Sequence, residues 1–397
     1  MKNIIHFLTL FLLFISLIFD ATGEFYNLKY LSVILSFLVF GFDFLLNFKN
    51  REFSKIQILY LFIFCIFIPF YGLIVTFINT NLLNLTDTSY IGFSITIILL
   101  IPILFISKEF YIKTFIYSLR ILMLTIYAIL ISFIFNGDAF GISQFFIEHK
   151  SMLMGFREYA GIPTYYIYFT ASPLLIILVT YDSYSLLNKF TIKNLFIFFL
   201  SIISIFLTGT RFNMLVAILI LPVSLILNKY SLSRIFINII IFGFFLIIIS
   251  NNKFTSSFFT TSEDSNNAKI GYLESYMPIF SNPKYILLGQ GFNAHDWSPE
   301  FKTLLAKSGN DGTKTELTYI EFFRVFGIFF GLLLNIIVFV MPVLLYYYYK
   351  RFNYFVVGLM VYLISSSINP YFFSTNGVLI FLLFLITIKG YRLKFNI

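Results

Sequence analysis

Residues 195–227 read LFIFFLSIISIFLTGTRFNMLVAILILPVSLIL, and Arg211 is the one charge among them. As a single helix this stretch would be about 50 Å long at 1.5 Å per residue, well past the roughly 30 Å of a bilayer's hydrocarbon core. Two crossings joined at TGTRFN fit the length. The same apolar character runs through the whole chain. It is 59% hydrophobic and only 11% charged, with a mean hydropathy of +0.91, whereas a soluble domain is about 45–50% apolar and about 25% charged. The chain is therefore expected to be an all-α polytopic integral membrane protein.

The apolar runs predict about twelve transmembrane helices: residues 4–19, 28–48, 56–78, 90–107, 110–135, 164–181, 195–208, 212–228, 235–250, 318–346, 354–370 and 375–389. They form one transmembrane domain over residues 1–397. The first run follows a basic tip and could pass for a signal peptide, but it is long for one and lacks an A-x-A site, so a retained first helix is expected.

Basic residues set the orientation. With the N-terminus inside, Lys2, Lys49, Arg51, Lys55, Lys108, Lys113, Lys189, Lys193, Lys229, Arg234, Lys350, Arg351, Lys389, Arg392 and Lys394 fall on the cytoplasmic side. The short outer loops carry only Lys29, Lys150, Arg157 and Arg211. Both termini are then cytoplasmic, and the formal charge of +9 reflects orientation and lipid headgroups. No basic run with interleaved aromatics points to nucleic acid. Among the acids, Glu52, Glu109 and Asp182 fall in cytoplasmic loops and Asp43 within a span. Two outer segments exceed ordinary loop length: 136–163, and the polar 251–317 between the ninth and tenth spans. The single cysteine, Cys65, excludes an internal disulfide and a Cys₂His₂ zinc site, and no metal site is expected.

Candidate chemistry collects on the outer side. Arg211, placed near the outer boundary, either snorkels to headgroups or clamps a phosphate, whose oxygens match the guanidinium fork. Arg120 lies about ten residues into its span. It either faces a lipid-phosphate path or pairs with Asp43. Arg157 with Glu158 is a second candidate anion site or a surface ion pair. In KTELTYIEFFRVFGIFFGLLLN (314–335), Glu316, Tyr319 and Phe323 share a helical face, with Glu321 and Arg324 flanking it. Either glutamate could be a first-turn acid favoured by the helix dipole; the alternative makes Glu316 a general base, with Arg324 an anion contact one turn deeper. Upstream, LLGQGFNAHDW (287–297) offers Gly289-x-Gly291 and His295 beside Asp296, outside any strand-to-helix nucleotide context. No P-loop, HExxH or GxSxG occurs.

An LTGTR turn at 207–211, then LxGxGF at 288–292, then E-x-x-Y-[IL]-E-x-x-R-x-x-G-I at 316–328 resembles the O-antigen polymerase (Wzy-type) and O-antigen ligase superfamily. The resemblance implies a GT-C-like fold and a metal-independent, inverting membrane glycosyltransferase without cofactor. It would act at the periplasmic face of the bacterial inner membrane, adding undecaprenyl-pyrophosphate-linked repeat units to a growing O-antigen or related polysaccharide, in the company of a chain-length regulator. Glu316 and Arg211 would be catalytic, while Arg324, Arg157, Arg120, Tyr319 and His295 would bind pyrophosphate and glycan. Ligases of this kind carry a histidine where Glu316 stands, which favours polymerase. The paired arginine motifs of some polymerases are not matched, since 251–317 contains no arginine. A ligase transferring glycan to lipid A-core is the nearer rival. A lipid-linked oligosaccharide flippase is the rival from another class, and it would need charge distributed through the spans.

Overall fold

The computed structural model describes residues 2–47, 52–80, 88–136, 141–159, 162–217, 317–348, 354–367 and 369–388, most of 271–292, and Ile220 and Gly243. Glu316, His295 and, apart from Gly243, the expected span at 235–250 lie outside the described residues.

In chain order come α1 Lys2–Phe19, α2 Leu28–Leu46, α3 Lys55–Phe62, a π turn Ile63–Phe67 and α4 Ile68–Thr80. Then follow α5 Ser89–Leu100 with a 3₁₀ tail, α6 Lys108–Asn136, α7 Ile142–Glu148, strands β1 Met152–Tyr159 and β2 Ile162–Phe169, α8 Leu175–Asn188 and α9 Ile192–Leu207. A further helix begins at 211. The C-terminal part holds α10 Pro283–Leu288, α11 Thr318–Asn335, a second π turn Ile336–Val340, α12 Met341–Tyr348, α13 Tyr354–Ser367 and α14 Thr375–Thr387. Among the described residues four helical stretches have the length and apolar composition to cross a membrane: Leu28–Leu46, Lys55–Asn79, Lys108–Phe135 and Thr318–Tyr347, the last of them interrupted at Gly327. Shorter apolar helices stand at most of the other expected spans.

The chain divides into two compact units. The first contains residues 1–40, 106–260 and 343–365; the second contains 41–105, 261–342 and 366–397.

In the first unit α1 packs on α6 through Phe14, whose ring meets Tyr111 at 5.0 Å and Phe115 at 5.4 Å, both edge-on. The buried Asp20 carboxylate then accepts the backbone N–H groups of Phe25 (2.9 Å) and Lys29 (3.0 Å). It thereby serves orphan donors at the start of α2. The expected span at 164–181 is corrected here. MLMGFREY and IPTYYIYF form an antiparallel hairpin in which Met152 faces Phe169 and Arg157 faces Thr164. The aromatic residues of both stretches and the β-branched ones of the second favour strands, and Pro163 is tolerable on an edge. The helical remainder, α8, starts only at Leu175. Leu174 to Val179 are each wholly buried, so the apolar run serves as core on every side. Asp182, expected in a loop, is a buried residue of this helix.

In the second unit α14 is buried along its whole length, as an all-round apolar helix must be. Gln57 on α3 donates to the Leu385 carbonyl at 2.9 Å. Each π turn displaces a carbonyl from its usual i+4 partner, and a hydroxyl from another helix covers each turn. Ser94 Oγ donates to Phe64 O at 2.6 Å, and Tyr60 Oη to Ile337 O at 2.9 Å. In apolar surroundings an unsatisfied carbonyl costs several kcal/mol, about what each hydroxyl averts.

The expected single helix at 318–346 is corrected too. Gly327 sits at φ 73, ψ 177 and breaks α11. Sixteen residues of continuous helix would hold Tyr319 and Asn335 about 24 Å apart. Instead Asn335 Nδ2 donates to Tyr319 O at 2.9 Å. A Cβ on Gly331 would lie 2.8 Å from the Phe322 carbonyl oxygen and from Phe323 Cα. Residues 318–326 therefore fold back along 328–335.

Candidate functional site

The break in α11 exposes a need for donors. In an intact helix the Arg324 and Val325 carbonyls would accept from residues 328 and 329, on the far side of Gly327. The segment 288–292 supplies the donors instead. Asn282 caps α10 through Lys284 N (3.0 Å), and Pro283 occupies the first turn, where its missing N–H costs nothing. The chain leaves α10 at Leu288 as an extended strap. Gln290 N donates to Arg324 O at 2.7 Å and Gly291 N to Val325 O at 3.1 Å.

Only glycine permits this approach. Gly289, Gly291 and Gly327 have φ of 84, 74 and 73. A Cβ on Gly289 would land on the Val325 carbonyl and 2.6 Å from Gly327 N; one on Gly327 would land on the Leu287 carbonyl. The strap's other side is pinned to α4. Phe292 N donates to Thr76 Oγ1 (2.7 Å), Asn79 Nδ2 to Gly289 O (3.0 Å) and Tyr71 Oη to Leu288 O (3.2 Å). The Phe292 ring covers Gly72 and stacks on Tyr90 at 5.2 Å.

Four polar side chains are sealed into this junction. Arg324 has zero exposure. Its Nε donates to Glu321 Oε2 at 2.7 Å and its Nη1 to Gln290 Oε1 at 3.4 Å. Tyr276 Oη donates to the other glutamate oxygen at 2.6 Å. Tyr276, Gln290 and Glu321 are likewise buried. Taking such ions out of water costs several kcal/mol each, recovered only when geometry and extra hydrogen bonds are good. Here both carboxylate oxygens accept a hydrogen bond, one of them from the guanidinium itself. Of the site residues expected from sequence, this junction holds Arg324 and, at the start of the same folded-back segment, Tyr319, which is 36% exposed. Sequence reasoning missed Tyr276, Gln290, Thr76 and Asn79. The available signal was the glycine spacing, Gly289-x-Gly291 and Gly327, which marks positions of close backbone approach.

The first unit holds the other candidates. The LTGTR turn is a turn, as expected. Thr208 Oγ1 donates to Ile205 O (2.7 Å), Gly209 adopts φ 69, and Met214 N to Thr210 O (3.0 Å) opens the next helix. Gly209 packs on Tyr166 of β2, whose Cβ would be 2.6 Å from an added Cβ. Arg211 is the first residue of that helix and is half-buried. Two residues on, Asn213 is buried, with Oδ1 2.9 Å from Ser365 Oγ. Arg120 does not take Asp43 as its acid: its Nη2 meets Asp182 Oδ1 at 2.6 Å, with the carboxylate almost fully buried. Asp43 instead accepts from Asn47 Nδ2 at 3.2 Å. Arg157 lies on β1, two residues from the strand's end.

No family model, curated protein or solved structure matches this chain.

Proposed function

We propose that the protein is a metal-independent membrane glycosyltransferase that polymerises undecaprenyl-pyrophosphate-linked oligosaccharide repeats at the outer face of a bacterial cytoplasmic membrane. The observation that carries this reading is the junction of two of the motif stretches, 288–292 and 316–328. The strap at 288–292 completes the backbone of a helix broken at Gly327. Broken helices and non-helical backbone in membrane proteins occur where buried in protein or beside a cavity, and often mark substrate sites. In the other unit, the LTGTR turn carries a half-buried arginine whose charge suits a pyrophosphate leaving group. Stabilising charge that develops on a leaving group is the largest single contribution such a residue makes.

In this reading Arg211 meets the pyrophosphate and Glu316 takes the acceptor hydroxyl's proton. Tyr319, Arg157 and His295 contact glycan or phosphate, and a chain-length regulator is the protein partner. The test is Arg211→Ala, with expression and thermal midpoint matched to wild type. Loss of one such contact lowers rate by about 10²–10³-fold, so the surface polysaccharide ladder should collapse towards single repeats. Arg211→Lys keeps the charge and loses the fork, and should give an intermediate ladder. An unchanged ladder in Arg211→Ala would sink the assignment. In a deletion strain, free lipid-linked polymer would indicate a ligase, and lipid-linked repeats held at the cytoplasmic face a flippase.

A further inference from the structure

We propose that Arg324 is a positioning residue: with Glu321, Gln290 and Tyr276 it locks the folded-back segment 318–326 to the strap at 288–292, and it meets no substrate phosphate. The inference rests on the glycosyltransferase reading for its activity readout, but its geometry stands alone.

Three observations carry it. First, the guanidinium has zero exposure, so a phosphate could reach it only by opening the junction. Second, its Nε is bonded to Glu321 Oε2 at 2.7 Å. An incoming pyrophosphate would bring negative charge against that carboxylate, and like charges in a dry site repel strongly. Third, the four side chains come from three separate stretches: the helical turn at 276, the strap, and the first half of α11. Each stretch is tied to the next by a hydrogen bond, with Tyr276 to Glu321 at 2.6 Å and Arg324 to Gln290 at 3.4 Å. The backbone bonds from Gln290 and Gly291 to the Arg324 and Val325 carbonyls run parallel to these. Side chains and main chain thus hold one geometry, and what they hold is the half-helix that carries Tyr319.

Arginine suits this task better than lysine. Its planar fork can bond a carboxylate and an amide oxygen at once in a fixed arrangement. The spacing Glu321, Arg324, Gly327 then has a mechanical sense. The first two side chains meet at i,i+3, and the third position lets the helix turn back immediately after them.

The experiment compares Arg324→Gln, Glu321→Gln and the Glu321→Gln/Arg324→Gln double variant with wild type in nanodiscs and in a deletion strain. Undecaprenyl pyrophosphate is the binding probe. A positioning role predicts that both single variants shorten the polysaccharide ladder to the same extent, while the dissociation constant for the probe stays within about twofold of wild type. It also predicts that the double variant unfolds no earlier than the worse single one, since paired groups give non-additive effects. The proposal is overturned if Arg324→Gln weakens probe binding about tenfold or more while Glu321→Gln leaves it unchanged. It is equally overturned if the thermal effects of the two single variants simply add. A deletion that leaves polymer length untouched would refute the glycosyltransferase reading instead. The thermal comparison would still decide the role of Arg324.

Discussion

Gly327→Ala is expected to leave almost no folded protein. At φ 73 and ψ 177 the residue occupies a region open essentially to glycine alone, costing a substituted residue about 1–3 kcal/mol. The new Cβ would also strike backbone, with the Leu287 carbonyl carbon at 2.7 Å and the Leu288 carbonyl carbon at 2.9 Å. Neither can swing aside as a side-chain tip would, because Leu287 and Leu288 belong to α10 and lead into the pinned strap. Relief would come only by pulling the strap away, leaving the Arg324 and Val325 carbonyls without donors and the Glu321–Arg324 pair open. Together these effects should exceed about 4–5 kcal/mol, the level reached only by such combined failures. Gly92→Ala is the control: Gly92 is exposed on α5, and an added Cβ would meet no atom within 4 Å. There the change should stabilise by about 0.5–1 kcal/mol, as glycine in a helix interior does when replaced. Thermal unfolding in detergent, with the yield of monodisperse protein, reads both; a Gly327→Ala protein melting near wild type would refute the account of the break.

Asp182→Leu is the second large effect. The carboxylate is only 2% exposed and bonds the guanidinium of Arg120 on α6 at 2.6 Å. Removing one member of such a pair strands the other charge, at a cost of about 3–5 kcal/mol. Replacing both with apolar residues of similar volume is often neutral or stabilising, so Arg120→Met/Asp182→Leu should melt at or above the wild-type temperature. If the single and double variants melt together, the pair is not what holds α6 to α8. Retained polymer synthesis in the double variant would separate this structural pair from the substrate contact that the sequence offered for Arg120.

The difference between what apolarity discloses and what it hides runs through the whole molecule. Helices at 4–19, 110–135 and 375–389 were legible because long apolar runs announce themselves by composition. The hairpin at 152–169 was not, because YYIYF is as apolar as the helix it precedes, and only its aromatic density signalled strand. Arg120 could be recognised as wanting an acid, but sequence offered Asp43, inside an apolar run, and left Asp182 in YDSYS as a loop residue. The choice depends on how α6 and α8 pack, a fact sixty-two residues long. The strap was half legible. GQG can mark a close approach, yet Thr76, Asn79, Gln290 and Tyr276 are neutral residues whose value appears only once distant partners meet them: Asn79 donates to the Gly289 carbonyl, Thr76 accepts from the Phe292 N–H, and Gln290 and Tyr276 bond the Arg324 and Glu321 side chains. In 314–335 a clean helical face suggested one rod, and a single glycine folded it double.

The π turns carry a consequence for register. At each one the closing N–H reaches back five residues, Ile68 to Ile63 and Met341 to Ile336. One extra residue rotates everything downstream by about 100° relative to an unbroken α-helix. A helical wheel drawn straight through Lys55–Asn79 therefore assigns the wrong neighbours to every side chain after Phe67. It is on that rotated half that Tyr71, Gly72, Thr76 and Asn79 face the strap. The helix behaves as two wheels on one axle, and the inserted residue sets the phase between them.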